Sequence, residues 1–289
     1  MHTVLTELLD LLRLETIEQT VFRGRSQDLG WGRVFGGQVL GQALSAAAQT
    51  VPDARPVHSL HAYFLRPGDA KKPIVYMVDP IRDGRSFTTR RVVALQSGKA
   101  IFNLSASFQV EQEGFEHADA CPEGLPGPEG LLSQSELSEE WTRGMPEAIR
   151  ERAMATRPIE IRPIDPNNPR SPRTGLPQRR AWFRAIAALP DDPQIHRSLL
   201  AYASDFHFLT ASLLPHGVSW LTPGIRMASL DHAMYFHRPF RLDDWLLYDV
   251  ESPSASAART LVRGRFFDRD GRLVASTVQE GMVRDRRDP

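Results

Sequence analysis

Cysteine is almost absent: Cys121 is the only thiol in 289 residues. One thiol closes no internal disulfide, so the fold must rest on its core, and a reducing compartment is expected. A net charge is also missing, because 35 basic and 35 acidic side chains cancel. That excludes the basic excess of a nucleic-acid binder. No apolar run approaches the ~20 residues of a membrane span. The first residues, MHTVLTELLDLLRLETIEQ, place Val4, Leu8, Leu11 and Leu12 at helical spacing among Glu7, Asp10 and Glu15. This predicts an amphipathic helix and not a secretory signal, so a cytoplasmic location is expected.

Several catalytic signatures are absent as well. No G-x-S-x-G elbow occurs, since GRSFT (84–88) and GVSWL (217–221) lack the closing glycine; an α/β-hydrolase is disfavoured. In GWGRVFGG (30–37), Phe35 takes the sixth place of a dinucleotide fingerprint and no strand pattern precedes it. HSLH (58–61) sends its two imidazoles to opposite faces of a strand, which argues against a metal site. Asp231 and His232, as neighbours on a strand, cannot pair directly for the same reason. No cofactor and no metal is expected.

What is present is a repeat. SLHAYFLRP (59–67) returns as SLDHAMYFHRP (229–239). Tyr63, Phe64, Arg66 and Pro67 match Tyr235, Phe236, Arg238 and Pro239 at an offset of 172. Tyr76 and Val78 match Tyr248 and Val250 at the same offset, and Gly98-Lys99 matches Gly271-Arg272 one residue later. A duplicated unit of roughly 110 to 130 residues is too long for a solenoid repeat and suits two copies of one small domain. With 41% apolar and 24% charged residues, the chain has the balance of a soluble globular protein.

Each copy carries one helix and several strands. In the first, Gly36–Val51 is small or apolar nearly all round, so a helix buried on several sides is expected. Strands are expected at 58–65, 73–79, 87–96 and 100–110. In the last, Phe102, Leu104, Ala106 and Phe108 alternate with polar or smaller neighbours. In the second copy, strands are expected at 159–164, 181–187, 225–237, 245–251, 258–268 and 272–283, with a helix from about Asp192 to Leu214. An antiparallel sheet around a central helix is the hot-dog arrangement, so the fold class expected is α+β, a tandem double hot-dog. The expected domains are 1–115 and 157–289, with a Pro/Gly-rich connector at 116–156 holding one or two short helices. A second irregular loop, 165–178, has four prolines.

Asp205 is the chemical candidate. Its neighbours at helical spacing are Ala201, Tyr202, Phe208 and Leu209. A carboxylate among such groups is partly buried, has a raised pKa, and must be paired or functional. The alternative is that Ser204-Asp205 caps a broken helix. Ser229 and Gln279 are candidate neighbours, and spacing alone does not say which face of the last strand, STVQEG, meets the helix.

FRGRSQDLG, VFGGQVLGQAL, HSLHAYFLRPGD, RDGRSFTTRRV, YASDFHFL, LDHAMYFHRPF, SPSASAAR and LVASTVQEG span nearly the whole chain. In these segments the sequence resembles the acyl-CoA thioesterase II (TesB-like) family. The resemblance implies a double hot-dog protomer, a homo-oligomer (dimer or tetramer), and hydrolysis of fatty acyl-CoA to free acid and CoA. It implies a catalytic trio at Asp205, Ser229 and Gln279, with serine standing where the family has threonine. Asp205 would activate a water held by Ser229 and Gln279. Ala106 or Ser107 stands where the first copy would carry the glutamine. Two other readings are carried forward: a hot-dog enoyl-CoA hydratase, and a non-catalytic acyl-CoA-binding protein.

Overall fold

The computed structural model describes residues 2–30, 32–52 and 54–287. Trp31 of the glycine-rich GWGRVFGG stretch, and Asp288 and Pro289 of the second expected domain, lie outside the described residues.

The first half opens with α1 (Thr3–Leu12), whose Leu5, Leu8, Leu11 and Leu12 are buried at the expected helical spacing. Two four-residue strands follow, β1 (Glu15–Glu18) and β2 (Val21–Gly24), then α2 (Gly36–Ala48). The four-stranded set β3 (Val57–Phe64), β4 (Ile74–Asp83), β5 (Phe87–Gln96) and β6 (Lys99–Gln109) completes it. Two short helices, α3 (Gln134–Trp141) and α4 (Glu147–Met154), lie in the segment between the repeats. The second half contains β7 (Ile159–Pro163), β8 (Gln178–Ala185), α5 (Pro193–Ser204), a 3-10 segment (Phe208–His216), β9 (Ile225–Ser229), β10 (Asp231–Phe236), β11 (Leu246–Ser256), β12 (Arg259–Phe267) and β13 (Leu273–Asp285).

All strands join one antiparallel sheet in the order β1-β2-β4-β5-β6-β3-β10-β13-β12-β11-β8-β7, with β9 paired to the end of β13. The two repeated motifs meet at its centre. Asp231 stands opposite Tyr63, Ala233 opposite His61, and Tyr235 opposite Ser59. The 172-residue offset converts the first of these pairs into the last, so a pseudo-twofold axis passes between His61 and Ala233.

The two central helices pack on the same side of this sheet, in one continuous core. They pack antiparallel and very closely. A Cβ on Gly37 would stand 2.2 Å from the Tyr202 carbonyl oxygen, and one on Gly41 would stand 3.0 Å from that of Ser198. Glycine is required where helix backbones approach this far. The connector covers the outer face of the second half. Leu125 and Leu131 pack with Cys121 on Trp182, Trp245, Leu247 and Phe267, and Trp182 Nε1 donates to the Pro126 carbonyl at 2.9 Å. Burial raises the Cys121 thiol pKa, so it is not an activated nucleophile.

Two expectations need correction. The helix expected from Asp192 to Leu214 ends at Ser204, because Asp205 is its C-cap and His207 turns left-handed at φ 58°. The strand expected at 225–237 is two strands. β9 pairs with Val283 and Arg284, β10 pairs with Ala275 to Val278, and Leu230 bridges them by donating to the Glu280 carbonyl.

Candidate active site

The break after Ser204 is what places Asp205. Asp192 caps the start of α5 by accepting from Gln194 N at 2.8 Å, and Pro193 occupies the first turn. Leu199, Leu200, Tyr202 and Ala203 then bury the helix on the core. At its end the chain turns, and the Asp205 carboxylate faces the first residues of α2 and the strands β9 and β13 instead of lying along a continuing helix.

Three donors lie around that carboxylate and favour its charged form: the Gln279 side chain, the Gly37 backbone N–H and the Ser229 hydroxyl. Part of Asp205 touches solvent, yet protein packs densely around its acid group. Burial pushes its pKa up to about 7, and the three donors oppose that rise without cancelling it. The first half of the chain contributes directly. A Cβ on Gly36 would stand 2.6 Å from Asp205 Oδ2, so the positive end of the α2 dipole is set against the acid.

β13 faces inward with Ala275, Thr277, Gln279 and Gly281, which settles the face that spacing left open. Gln279 is fully buried. Its Nε2 donates to Ser229 Oγ at 2.7 Å, and the amide favours the charged form of Asp205. The structure therefore brings all three candidates together. Asp231 and His232 point to opposite faces as alternation requires. Asp231 accepts from the Glu280 backbone at 2.6 Å, while His232 turns inward.

His232 is the residue that sequence reasoning missed. It is 0% exposed, and its Nδ1 lies 2.5 Å from Gln279 Oε1. Its Nε2 lies 3.1 Å from Ser204 Oγ. Burial pushes its pKa down to about 4, against the opposing effect of the Gln279 bond, so it is a neutral imidazole. Its signal was legible in DHAMYF: His232 shares a face with Met234 and Phe236, a lone polar group on a core face. Behind it, Tyr248 donates to the Ser204 carbonyl at 3.1 Å and stacks on Phe266 at 3.8 Å between ring centroids. A shallow solvent-open depression with about 20 Å³ of free volume lies beside Phe206 and His207, lined by apolar Ile161, Phe183 and Val250 and by the cationic Arg179.

Residues 25–109 match the acyl-CoA thioesterase N-terminal domain model, and residues 151–282 match the acyl-CoA thioesterase model. The chain is 44% identical over 285 residues to acyl-CoA thioesterase 2 of Haemophilus influenzae, covering 98% of this chain and 99% of that one. It belongs to the acyl-CoA thioesterase family. Within that family, the solved acyl-CoA thioesterase II TesB2 of Mycobacterium marinum superposes with a TM-score of 0.77 at 40% identity, covering 96% of this chain and 98% of that one. A hot-dog protein from Alicyclobacillus acidocaldarius superposes with a TM-score of 0.76 at 18% identity over 96% of this chain and 98% of that one; this likeness bears on the fold alone. The thioesterase fold of this chain is thus a double hot-dog.

Proposed function

We propose that this acyl-CoA thioester hydrolase acts on fatty acyl-CoA, with Asp205 as the base that activates water. The observation carrying this reading is the Asp205 carboxylate itself, an acid lifted to about 7 by burial with three donors around it. A base is most effective when its pKa lies near the working pH. Asp205 removes a proton as the water oxygen bonds to the thioester carbonyl carbon, and the carbonyl π pair moves onto oxygen. Collapse of that intermediate breaks the C–S bond, and the thiolate takes the proton back from Asp205. The products are a free acid and the CoA thiol. Ser229 and Gln279 orient the carboxylate and the water, and the positive end of α2 stabilises the oxyanion.

Where the depression beside Phe206 and His207 opens, Ile161, Phe183 and Val250 offer apolar surface to an acyl chain. Arg179 in that lining makes no hydrogen bond or ion pair with the described residues, and its charge suits a polyanionic ester. A hydratase would present an acid and a histidine together to substrate. Here His232 lies fully buried behind Gln279, with no hydrogen bond to Asp205. A purely binding protein has no use for a base. A homo-oligomer and a cytoplasmic site of action complete the proposal. The outer faces of the two central strands leave Tyr63, Leu65 and Tyr235 exposed, a surface for a second copy that light scattering tests.

Thiol release over acyl-CoAs of increasing chain length, run in H₂¹⁸O under single turnover, tests the chemistry. Equal thiol and acid, with label in the acid and none in Asp205, is expected. Hydration without thiol would overturn the hydrolysis, and label in Asp205 would replace the base by a covalent nucleophile.

A further inference from the structure

We propose that His232 is a positioning residue for this hydrolysis: one buried imidazole holds Gln279 through Nδ1 and the end of α5 through Nε2, and so fixes the spacing of amide and acid. The inference rests on the assignment of Asp205 and Gln279 above.

Gln279 can point its amide either way, and only its neighbours decide. Nε2 must face the Asp205 carboxylate and Ser229 Oγ, which accept. Oε1 must then find a donor in a place without water. His232 Nδ1 supplies it at 2.5 Å. Without that donor a buried carbonyl oxygen is left unpaired, and the amide gains as much by turning over. Turned over, it would set an oxygen against the carboxylate.

The other ring nitrogen reaches the residue next to the acid. Ser204 Oγ stands 3.1 Å from Nε2 and 2.9 Å from the Ala201 carbonyl, and its one proton is divided between them. The Ser204 carbonyl is in turn held by Tyr248. The imidazole therefore spans from β13 to the end of α5, the two elements whose separation sets the site. Being 0% exposed, it does not meet substrate. Its counterpart at the 172-residue offset is Leu60, and Leu60 stands opposite Ala106, so the first half lacks both the histidine and the amide.

The test compares His232→Asn, His232→Gln and His232→Leu with Asp205→Asn as control, reading kcat, KM and Tm. The amide nitrogen of Asn falls where Nδ1 was, and that of Gln where Nε2 was. His232→Asn should stay within a few-fold of native kcat. His232→Gln and His232→Leu should lose kcat by roughly 100-fold at unchanged KM, the scale of a small misplacement. If His232→Leu does not fold, the contrast between Asn and Gln decides. Native kcat in His232→Gln or His232→Leu beside an inactive Asp205→Asn overturns the positioning role and leaves the base assignment standing. So does a kcat that follows Tm and not the placement of the amide. A fully active Asp205→Asn overturns the base assignment itself.

Discussion

The two halves of the sheet have the same strands and opposite contents. Where the second half has His232, Gln279 and Val262, the first has Leu60, Ala106 and Arg90, paired in the same register. Leu60 and Ala106 are buried hydrocarbon. Arg90 is buried too, and it turns its guanidinium to the end of α2. There it donates to the Thr50 carbonyl and hydroxyl, each at 2.9 Å, and to Asp83 at 2.7 Å. A cation at a helix C-terminus is favourable. The second half does the reverse. It places an acid at the C-terminus of α5, which is unfavourable there, and offsets this with the N-terminus of α2. The comparison teaches that the duplicated fold specifies the cradle, whereas the proposed chemistry depends on which three or four inward positions are polar. It also shows why neither half would hold the proposed site alone, since Gly36 and Gly37 come from the first and the acid from the second.

The largest effect is expected when the second half is given the first half's contents. His232→Leu with Gln279→Ala should fold and lose kcat by about 10²–10³-fold, the scale of a lost active-site donor; thiol-release kinetics check it. Gly37→Ala drives a methyl into the Tyr202 carbonyl and should cost about 1–3 kcal/mol of stability, read by thermal denaturation, with activity falling as the acid is displaced. The pH profile sharpens the asymmetry further. Because burial raises the Asp205 pKa to about 7, the protonated, inactive acid persists up to that pH. Native kcat/KM should therefore climb with pH, reach half its plateau near 7 and stay level above. In Gln279→Ala, one opposing donor is gone and the midpoint should move higher. Arg90→Met should lower Tm, by leaving buried carbonyls unpaired, yet keep kcat. Ser229→Thr, which keeps the hydroxyl, should change kcat least of all.

Much of this was legible before any coordinates. The repeated motif revealed the duplication, and the alternation in 100–110 marked a sheet with one apolar face. Asp205 stood out as an acid among apolar neighbours. What escaped the sequence depended on distant partners. β1 has all four residues exposed, so it carries no alternation to read. The end of α5 is fixed by the left-handed His207 and by glycines some 170 residues earlier in the chain, neither of which helical spacing reveals. Alternation shows that His232 cannot pair with Asp231, but the same alternation that separates the two aims the imidazole at Gln279. Which face of the last strand turns inward shows only in the packing, where Leu209 lies over Gly281 and Gln279 is fully buried.

The claim that the chain holds one catalytic site, built on the acid of the second half, is tested most directly by the residual thiol-release rate of Asp205→Asn at saturating substrate. The account predicts at most about 1% of the native rate, as expected for loss of a general base, with Tm retained. A rate near half of native would contradict it, because the first half would then hold a working site of its own.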